Sequence, residues 1–372
     1  MITLKEATTK KEMIDFVKFP FSLYKNNNYW VPPIIKDEVE SFDTTKNPVF
    51  KHAKAHYFLA YQNNKIVGRV AAIVNWIEIN EQKIKKMRFG WFDMIDDIEV
   101  TKVLIDKVKE IGKQYNLDFI EGPVGFSNLD KVGVLIEGFD HLGTMITWYN
   151  HPYYKDHLEE LGFTKAKEWL ENYMLFKNLN PDNFSRLSKL VAKRYNLRTM
   201  NFTKTEQILP YVDKMFDLFN SSYSKLASFT PISEEQKAYF KKKYISFINP
   251  EFIEYITDTN DNLVAFAVTM PSFSKALQKA NGKLFPFGIF HLLKAKKKPD
   301  EAIFYLIGVH PDYQKKGVVS MIFESFYNTY SKIGIKILRR TPELEENVAI
   351  KQLWKDMQPV THKRRRTYRL DI

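Results

Sequence analysis

The chain has 372 residues, 44% hydrophobic and 15% aromatic, which is ample for packed cores and suggests two domains rather than one. It has no cysteine, which excludes disulfides, thiolate zinc sites and cysteine nucleophiles, and no run of about 18 apolar residues that would span a membrane. The formal net charge of +12 favours anionic partners such as CoA, anionic lipid headgroups or nucleic acid, although a chain this rich in Lys, Asn, Ile and Phe can owe part of its charge to the nucleotide bias of its source.

The first residues, MITLKEATTKKEM, lack the apolar core of a signal peptide, so a cytoplasmic protein is expected. Residues 3–7 suit a first strand. Residues 11–24 are amphipathic, with Met13, Ile14, Val17 and Phe21 near one face, and an aromatic, turn-rich stretch, NNNYWVPP, follows. Strands over 57–61 and 66–74 flank Asn63-Asn64, a hairpin signal. A strand over 86–94 precedes a helix over 99–115 with Val103, Leu104, Val108 and Ile111 as its stripe. Next come a strand over 118–121 leading into GPVGFSN, a loop over 133–143, a short helix over 150–161 and a strand over 173–176. Asn-Pro-Asp-Asn then reads as a linker.

The pattern restarts with a strand over 197–201, helices over 208–226 and 234–248, and strands over 252–257 and 263–270 around a second Asn-rich turn. Later elements are a strand over 335–338, a helix over 347–357 and a last strand over 366–370. Asn64 to Asn150 and Asn262 to Asn347 are separated by about the same distance, the kind of spacing match that marks an internal duplication. The expected division is a lobe over 1–178, a linker and lead-in helix over 179–194, and a second lobe over 195–372.

Residues 301–327, EAIFYLIGVHPDYQKKGVVSMIFESFY, stand out. An apolar β-prone run over 302–309 meets His310-Pro311-Asp312, then a basic loop with one glycine. Helical spacing follows at Val319, Ile322, Phe323, Phe326 and Tyr327. A helix N-terminus offers unpaired N–H groups and the positive end of the peptide dipole, so this arrangement suits phosphate or pyrophosphate. The bland alternative is a strand–turn–helix with a solvated basic turn.

V-x-P-x-x-Q-x-x-G, placed here on Val309, Pro311, Gln314 and Gly317, resembles the acyl-CoA pyrophosphate loop of the GNAT acyltransferase superfamily. The stretches YWVPP, NPVFKHAKAHYFLA, IEGFD, YNHPYY and LVAFAVTMP are similar to a group of tandem GNAT-like bacterial proteins, among them bacterial ceramide-synthase-like N-acyltransferases. The resemblance implies an α/β (α+β) fold of two GNAT-like lobes, each a mostly antiparallel mixed sheet flanked by helices. It implies an N-acyltransferase with acyl-CoA or acetyl-CoA as co-substrate. The strand backbone at Leu306, Ile307 and Val309, with Gln314, Lys315, Lys316, Gly317, Val318 and Val319, would hold the donor. The usual loop has a small residue where this chain has Val319. The N-terminal lobe lacks the motif and has DMIDDIEV instead, with Asp93, Asp96, Asp97 and Glu99, whose charges repel pyrophosphate. Only the second lobe is then expected to bind CoA.

For catalysis, Glu343, Glu345 and Glu346 lie before Asn347. The resemblance makes Glu345 and Glu346 the first choice of base and Asn347 the residue opening the helix beside the pantetheine arm. Acids at a helix start also favour its dipole, and Asn is a good N-cap, so structural roles compete. The position where such enzymes place an acidic tyrosine is Trp354. Either the thiolate leaves unassisted or another group serves, with Tyr305 and Tyr368 as the candidates, each more often a core tyrosine whose hydroxyl finds a local partner. His310 fits a turn, and no H-x-x-H or H-E-x-x-H spacing points to a metal.

Residues 272–301 form an insertion with Phe273, Leu277, Leu284, Phe285, Phe287 and Phe290 before Lys294–Lys298. It suits a membrane interface, a cover for a long acyl chain, or packing against the other lobe. The acceptor is then a small-molecule or lipid amine. The donor is carried by CoA or an acyl carrier protein, and peripheral contact with the inner membrane face is compatible. An ordinary acetyltransferase is the second reading. A basic binding protein is the third, resting on the net charge and on His362–Arg366, which also suits a solvated edge strand. No specific nucleic acid is expected.

Overall fold

The structure is a computed structural model that describes residues 1–127, 129–224, 229–244 and 249–372. The ends foreseen for two helices at Leu226 and Ile248, and Asn128 at the end of GPVGFSN, lie outside these residues.

The first half runs β1 (Ile2–Glu6), α1 (Lys10–Leu23), α2 (Ile35–Ser41), β2 (Ala53–Gln62), β3 (Lys65–Asn75), β4 (Lys86–Met94), α3 (Ile98–Gln114), β5 (Phe119–Gly122), β6 (Val134–Glu137), α4 (Tyr153–Glu160) and β7 (Thr164–Leu175). The second half runs α5 (Asp182–Tyr195), β8 (Arg198–Met200), α6 (Leu209–Tyr223), α7 (Glu234–Tyr244), β9 (Ile253–Thr257), β10 (Leu263–Pro271), α8 (Ser274–Ala280), α9 (Gly288–Lys297), β11 (Glu301–Val309), α10 (Val319–Ile333), β12 (Ile337–Arg340), β13 (Glu343–Leu344), α11 (Val348–Trp354) and β14 (Val360–Asp371).

Local chemistry explains the boundaries. Thr9 and Glu12 form a capping box that starts α1. Asn63 and Asn64 both adopt positive φ, as a tight two-residue hairpin turn requires, and they join β2 to β3. α3 buries Val100, Leu104, Ile105, Val108 and Ile111 against the first half of the sheet. In the second half, α5 and α10 pack with one face of the sheet, and α6 lies with Ile253, Tyr255 and Phe266 in a separate cluster.

All the strands form one sheet in the order β1-β2-β3-β4-β5-β14-β7-β12-β11-β10-β9-β8, with β6 on β14 and β13 on β7. The two halves run in the same order outward from the central β14–β7 pair. Each half is antiparallel except for one parallel pair, β4–β5 or β11–β12. The strands at the centre are exchanged. β7 follows the helices of the first half but pairs with β12 and β13, whereas β14 follows α11 but pairs with β5 and β6.

This corrects three expectations. The loop over 133–143 contains β6, too short to announce itself by alternation. β7 and β14 are each 12 residues long, because charged residues occupy positions that a pattern search takes for strand ends. And β14 is a central strand, not a solvated edge. Lys363 and Arg365 are each 1% exposed, and both pair with Glu171, itself buried. Arg364 pairs with Glu345 and Glu137, and Arg366 with Glu168 and Glu159. The basic cluster at 362–366 thus finds its counter-charges inside the protein.

The insertion divides in two. α8 packs against the first half: the Gln278 amide donates to the Asn28 and Trp30 carbonyls, and the Ile35 N–H donates to the Gly282 carbonyl. The segment from Phe285 through α9 faces solvent. Among the described residues, no helix is long and apolar enough to cross a membrane.

Candidate active site

Beside the central strand β11 the sheet splits. β11 and β12 pair in parallel only from Glu301↔Ile337 to Phe304↔Arg340. The Thr341 N–H still reaches the Phe304 carbonyl, at 3.1 Å, and then the strands part. β11 continues against β10 alone, with an irregularity in register at Tyr305. The opening leads into a cavity of about 260 Å³ walled by both halves. The second half contributes Phe304–Ile307, Arg340–Leu344, Asn347 and Trp354. The first half contributes Arg88, Glu121, Ser127, Leu129, Asp130 and Trp169.

On the wall from the second half, Arg340 stands with Glu343. Arg340 is 5% exposed, its Nη2 lies 3.1 Å from the Glu343 carboxylate, and its guanidinium lies over the Trp354 ring, 4.9 Å from the centroid. Its Nε and Nη1 have no hydrogen-bond partner among the described residues. Burial pushes the Glu343 carboxyl up to about 7, against the pull of Arg340. The buried Trp354 indole N–H pulls the Glu343 carboxyl back down and so favours its charge, yet it falls short of hydrogen-bond geometry. A carboxylate poised near neutrality can take a proton from an ammonium or amine, and a guanidinium with unspent donors can meet a developing oxyanion.

Across the cavity, Asp130 accepts from the Ser127 N–H at 2.8 Å and its hydroxyl at 3.0 Å. Burial among surrounding protein pushes its carboxyl up, although the side chain itself opens to the cavity. The Tyr305 hydroxyl donates to the Leu129 carbonyl at 3.3 Å, tying the halves together over the opening. The Tyr223 hydroxyl donates to the Ile307 carbonyl and the Ser222 hydroxyl to the Val309 carbonyl, each at 3.0 Å. The end of α6 therefore lies along the open side of β11. Burial pushes the Tyr223 phenol up to about 12 and raises Tyr305 as well, so both stay protonated and act as hydrogen-bond donors.

At the far end of β11 the chain turns through Pro311–Tyr313 into α10. Lys315 and Gly317 both have positive φ, 60° and 77°. Alternating handedness turns successive N–H groups toward one side, a concavity that suits anions. The N–H groups of Gly317 and Val318 make no hydrogen bond to other described residues. The Gln314 amide donates to the Val309 carbonyl at 3.3 Å and so braces the loop against the strand end. Lys316 lies over the Tyr195 and Tyr313 rings. Val318 is buried in the core, and Val319 packs against that core where the resemblance has a small residue. These groups fit a pyrophosphate.

The other residues singled out in the sequence are dispersed. Asn347 lines the cavity and also caps α11, its side chain accepting from the Ile350 N–H at 3.2 Å. Glu345 lies outside the cavity wall, bound to Arg364 at 2.7 Å, and Glu346 is exposed. Tyr368 is buried away from the cavity and donates to Glu159 at 2.9 Å. His310 caps the turn, its Nδ1 accepting from the Asp312 N–H. Arg340, Tyr223 and Asp130 were not foreseen. Arg340 ends a strand in a run of basic residues, and only its partner three positions on, Glu343, could have drawn attention to it.

Among the described residues the first half shows no equivalent anion site. Asp97 caps α3 with its own carboxylate, and Asp93 is buried against Arg69, Tyr24 and Tyr154. There the split beside β4 is closed by chain, since the Val124 N–H donates to the Phe89 carbonyl at 2.7 Å.

No family model matches the chain. It is 27% identical over 373 residues to Protein YghO of Escherichia coli, covering 98% of this chain and 94% of that one. It is 24% identical over 293 residues to the bacterial ceramide synthase of Caulobacter vibrioides, covering 77% of this chain and 74% of the relative. Among solved structures, a tandem GNAT protein from the clavulanic acid biosynthesis pathway superposes with a TM-score of 0.60 at 9% identity, covering 100% of this chain and 98% of its own. A GCN5-related N-acetyltransferase from Sphaerobacter thermophilus superposes with a TM-score of 0.51 at 8% identity, over 100% and 95% of the two chains. The chain thus has the fold of the tandem GNAT proteins.

Proposed function

We propose that the protein is an N-acyltransferase that moves an acyl group from a CoA thioester to an amine. One observation carries the reading: Glu343, pushed up to about 7, stands with the unspent donors of Arg340 in the wall of the opening between β11 and β12. In this reading the donor's pyrophosphate rests on the N–H groups at Gly317 and Val318, with Lys315 and Lys316 nearby, and the thioester reaches the cavity along β11. Glu343 takes the proton from the attacking amine. The nitrogen bonds to the thioester carbon, and the Nε and Nη1 groups of Arg340 receive the oxyanion. The carbon–sulfur bond then breaks and the electron pair leaves on the CoA sulfur. The Tyr223 hydroxyl holds the Ile307 carbonyl of β11 and the Tyr305 hydroxyl holds the Leu129 carbonyl of the facing loop, and neither donates a proton, because a phenol pushed up to about 12, as at Tyr223, does not protonate a thiolate whose acid lies at about 8.5.

The acceptor we favour is a lipid-like amine and the acyl group a long one. The relative named as a bacterial ceramide synthase supports this choice. CoA suits the loop better than an acyl carrier protein, because the carrier presents a single phosphate where CoA presents two. A cytoplasmic location, peripheral at the inner membrane face, goes with such a donor and acceptor. The test is acyl transfer from acetyl-CoA and palmitoyl-CoA to a panel of short and long-chain primary amines, read by mass spectrometry. Palmitoyl transfer to a long-chain amine, lost in Glu343→Gln, is the expected result. Acetyl transfer to a soluble amine alone would favour the ordinary acetyltransferase instead.

A further inference from the structure

The segment from Phe285 through α9 carries an unusual surface. Phe285, Phe287, Phe290 and Leu293 are 74%, 72%, 64% and 54% exposed. On α9, Phe290, Leu293 and Lys297 recur at helical spacing and share the solvent face with Lys294. Between Ser272 and Pro299 there are seven lysines and no Asp or Glu. Lys283, Lys294, Lys297 and Lys298 are exposed, and they form no ion pair among the described residues. Some surface cations elsewhere are paired with acids, as in Lys241 with Asp213 and Arg366 with Glu159. The other half of the insertion is fixed, since α8 is bonded to the Asn28–Ile35 segment of the first half. The exposed rings are thus held out on a braced support.

We infer that this face docks on an anionic lipid surface, with the phenylalanines entering the boundary between headgroups and acyl chains and the lysines meeting the headgroup charge. The charge selects this occupant. A second copy of the face would bring one lysine cluster against another, and an apolar protein groove would leave the lysines without counter-charge. Binding by apolar burial combined with basic attraction is the way interfacial helices hold to membranes. This inference does not depend on the acyl-transfer reading.

The experiment is flotation of the full chain with vesicles of pure phosphatidylcholine and of phosphatidylcholine with phosphatidylglycerol, at low and high salt. The expected result is binding to the mixed vesicles that weakens with salt. In K294E/K297E/K298E it falls at least tenfold, since each lysine near such a surface contributes about fivefold. In F285S/F287S/F290S the part that survives high salt is lost. All six positions are exposed or partly exposed, so the melting temperatures should stay close to that of the parent, and circular dichroism checks this. Equal binding to both vesicle types, or binding unchanged in both variants, overturns the inference. So does a parent that is dimeric by light scattering and becomes monomeric in the phenylalanine variant, because the face would then be a self-association surface.

Discussion

The Arg340 guanidinium spends one nitrogen on Glu343, at 3.1 Å, and keeps Nε and Nη1 without a partner in a place where it is 5% exposed. A buried donor left unpaired costs about 1–3 kcal/mol. A fold that keeps two of them beside a carboxylate poised near neutrality has a use for them, and an oxyanion formed in the cavity is the acceptor that fits. Arg340→Lys keeps the charge but loses the fork, and should lower kcat by about 10²–10³ while leaving the affinity for CoA unchanged. Steady-state kinetics beside CoA titration would separate the two effects.

Glu343 acts only in its ionised form. With its pKa about 7, the rate should climb as pH rises through 7 and level off above it. Glu343→Gln should remove that limb and cost about 10²–10⁴ in kcat. A pH–rate profile of the parent that is flat from 5.5 to 8 would contradict the assignment.

Glu254, on β9, offers a separate test of the electrostatics. It is 3% exposed, one carboxylate oxygen has no partner, and burial pushes its pKa up to about 8. Between the usual carboxylate range and pH 8 the folded state therefore holds a proton that the unfolded state has released. Stability must fall as pH rises across that window and become level above it. Glu254→Gln should match the parent near pH 4 and be more stable by about 3–5 kcal/mol at pH 9. Urea unfolding at the two pH values measures the difference.

Glu171 is the counter-charge that lets β14 run through the centre of the sheet, since it is the buried partner of both Lys363 and Arg365. Glu171→Ala leaves those cations buried without it and should destabilise by about 3–5 kcal/mol. Because β14, the last strand of the second half, pairs with β5, β6 and β7 of the first, the halves should unfold together, in a single transition by circular dichroism and by tryptophan fluorescence.

Gly317 sits at φ 77°, and an added Cβ would come within 3.3 Å of Leu187 and Val191. Gly317→Ala should cost about 1–2 kcal/mol of stability from the left-handed backbone alone and should weaken CoA binding as the loop shifts. Thermal melts with and without CoA report both effects.

Much of this was legible in the sequence. Strands bounded by Asn turns, amphipathic helices and the strand–loop–helix at Val309–Gly317 all follow from periodicity and turn chemistry, and the GNAT resemblance supplied the order of the lobes. The exchange of β7 and β14 was hidden, because local pattern does not say which neighbour a strand takes, and charges such as Arg365 pass for surface residues until their partner is known. The choice among Glu343, Glu345 and Glu346 was hidden for the same reason. Spacing brings all three to one turn, but only the fold shows that Arg364 engages Glu345 while Glu343 lines the cavity beside Arg340.

The most direct test of the donor site is calorimetric titration of CoA into the parent, Gly317→Glu and Glu343→Gln. A CoA site at the start of α10, with its chemistry further along β11, requires that the parent and Glu343→Gln bind alike and that Gly317→Glu does not bind. Failure of the parent to bind, or equal binding by Gly317→Glu, would contradict it.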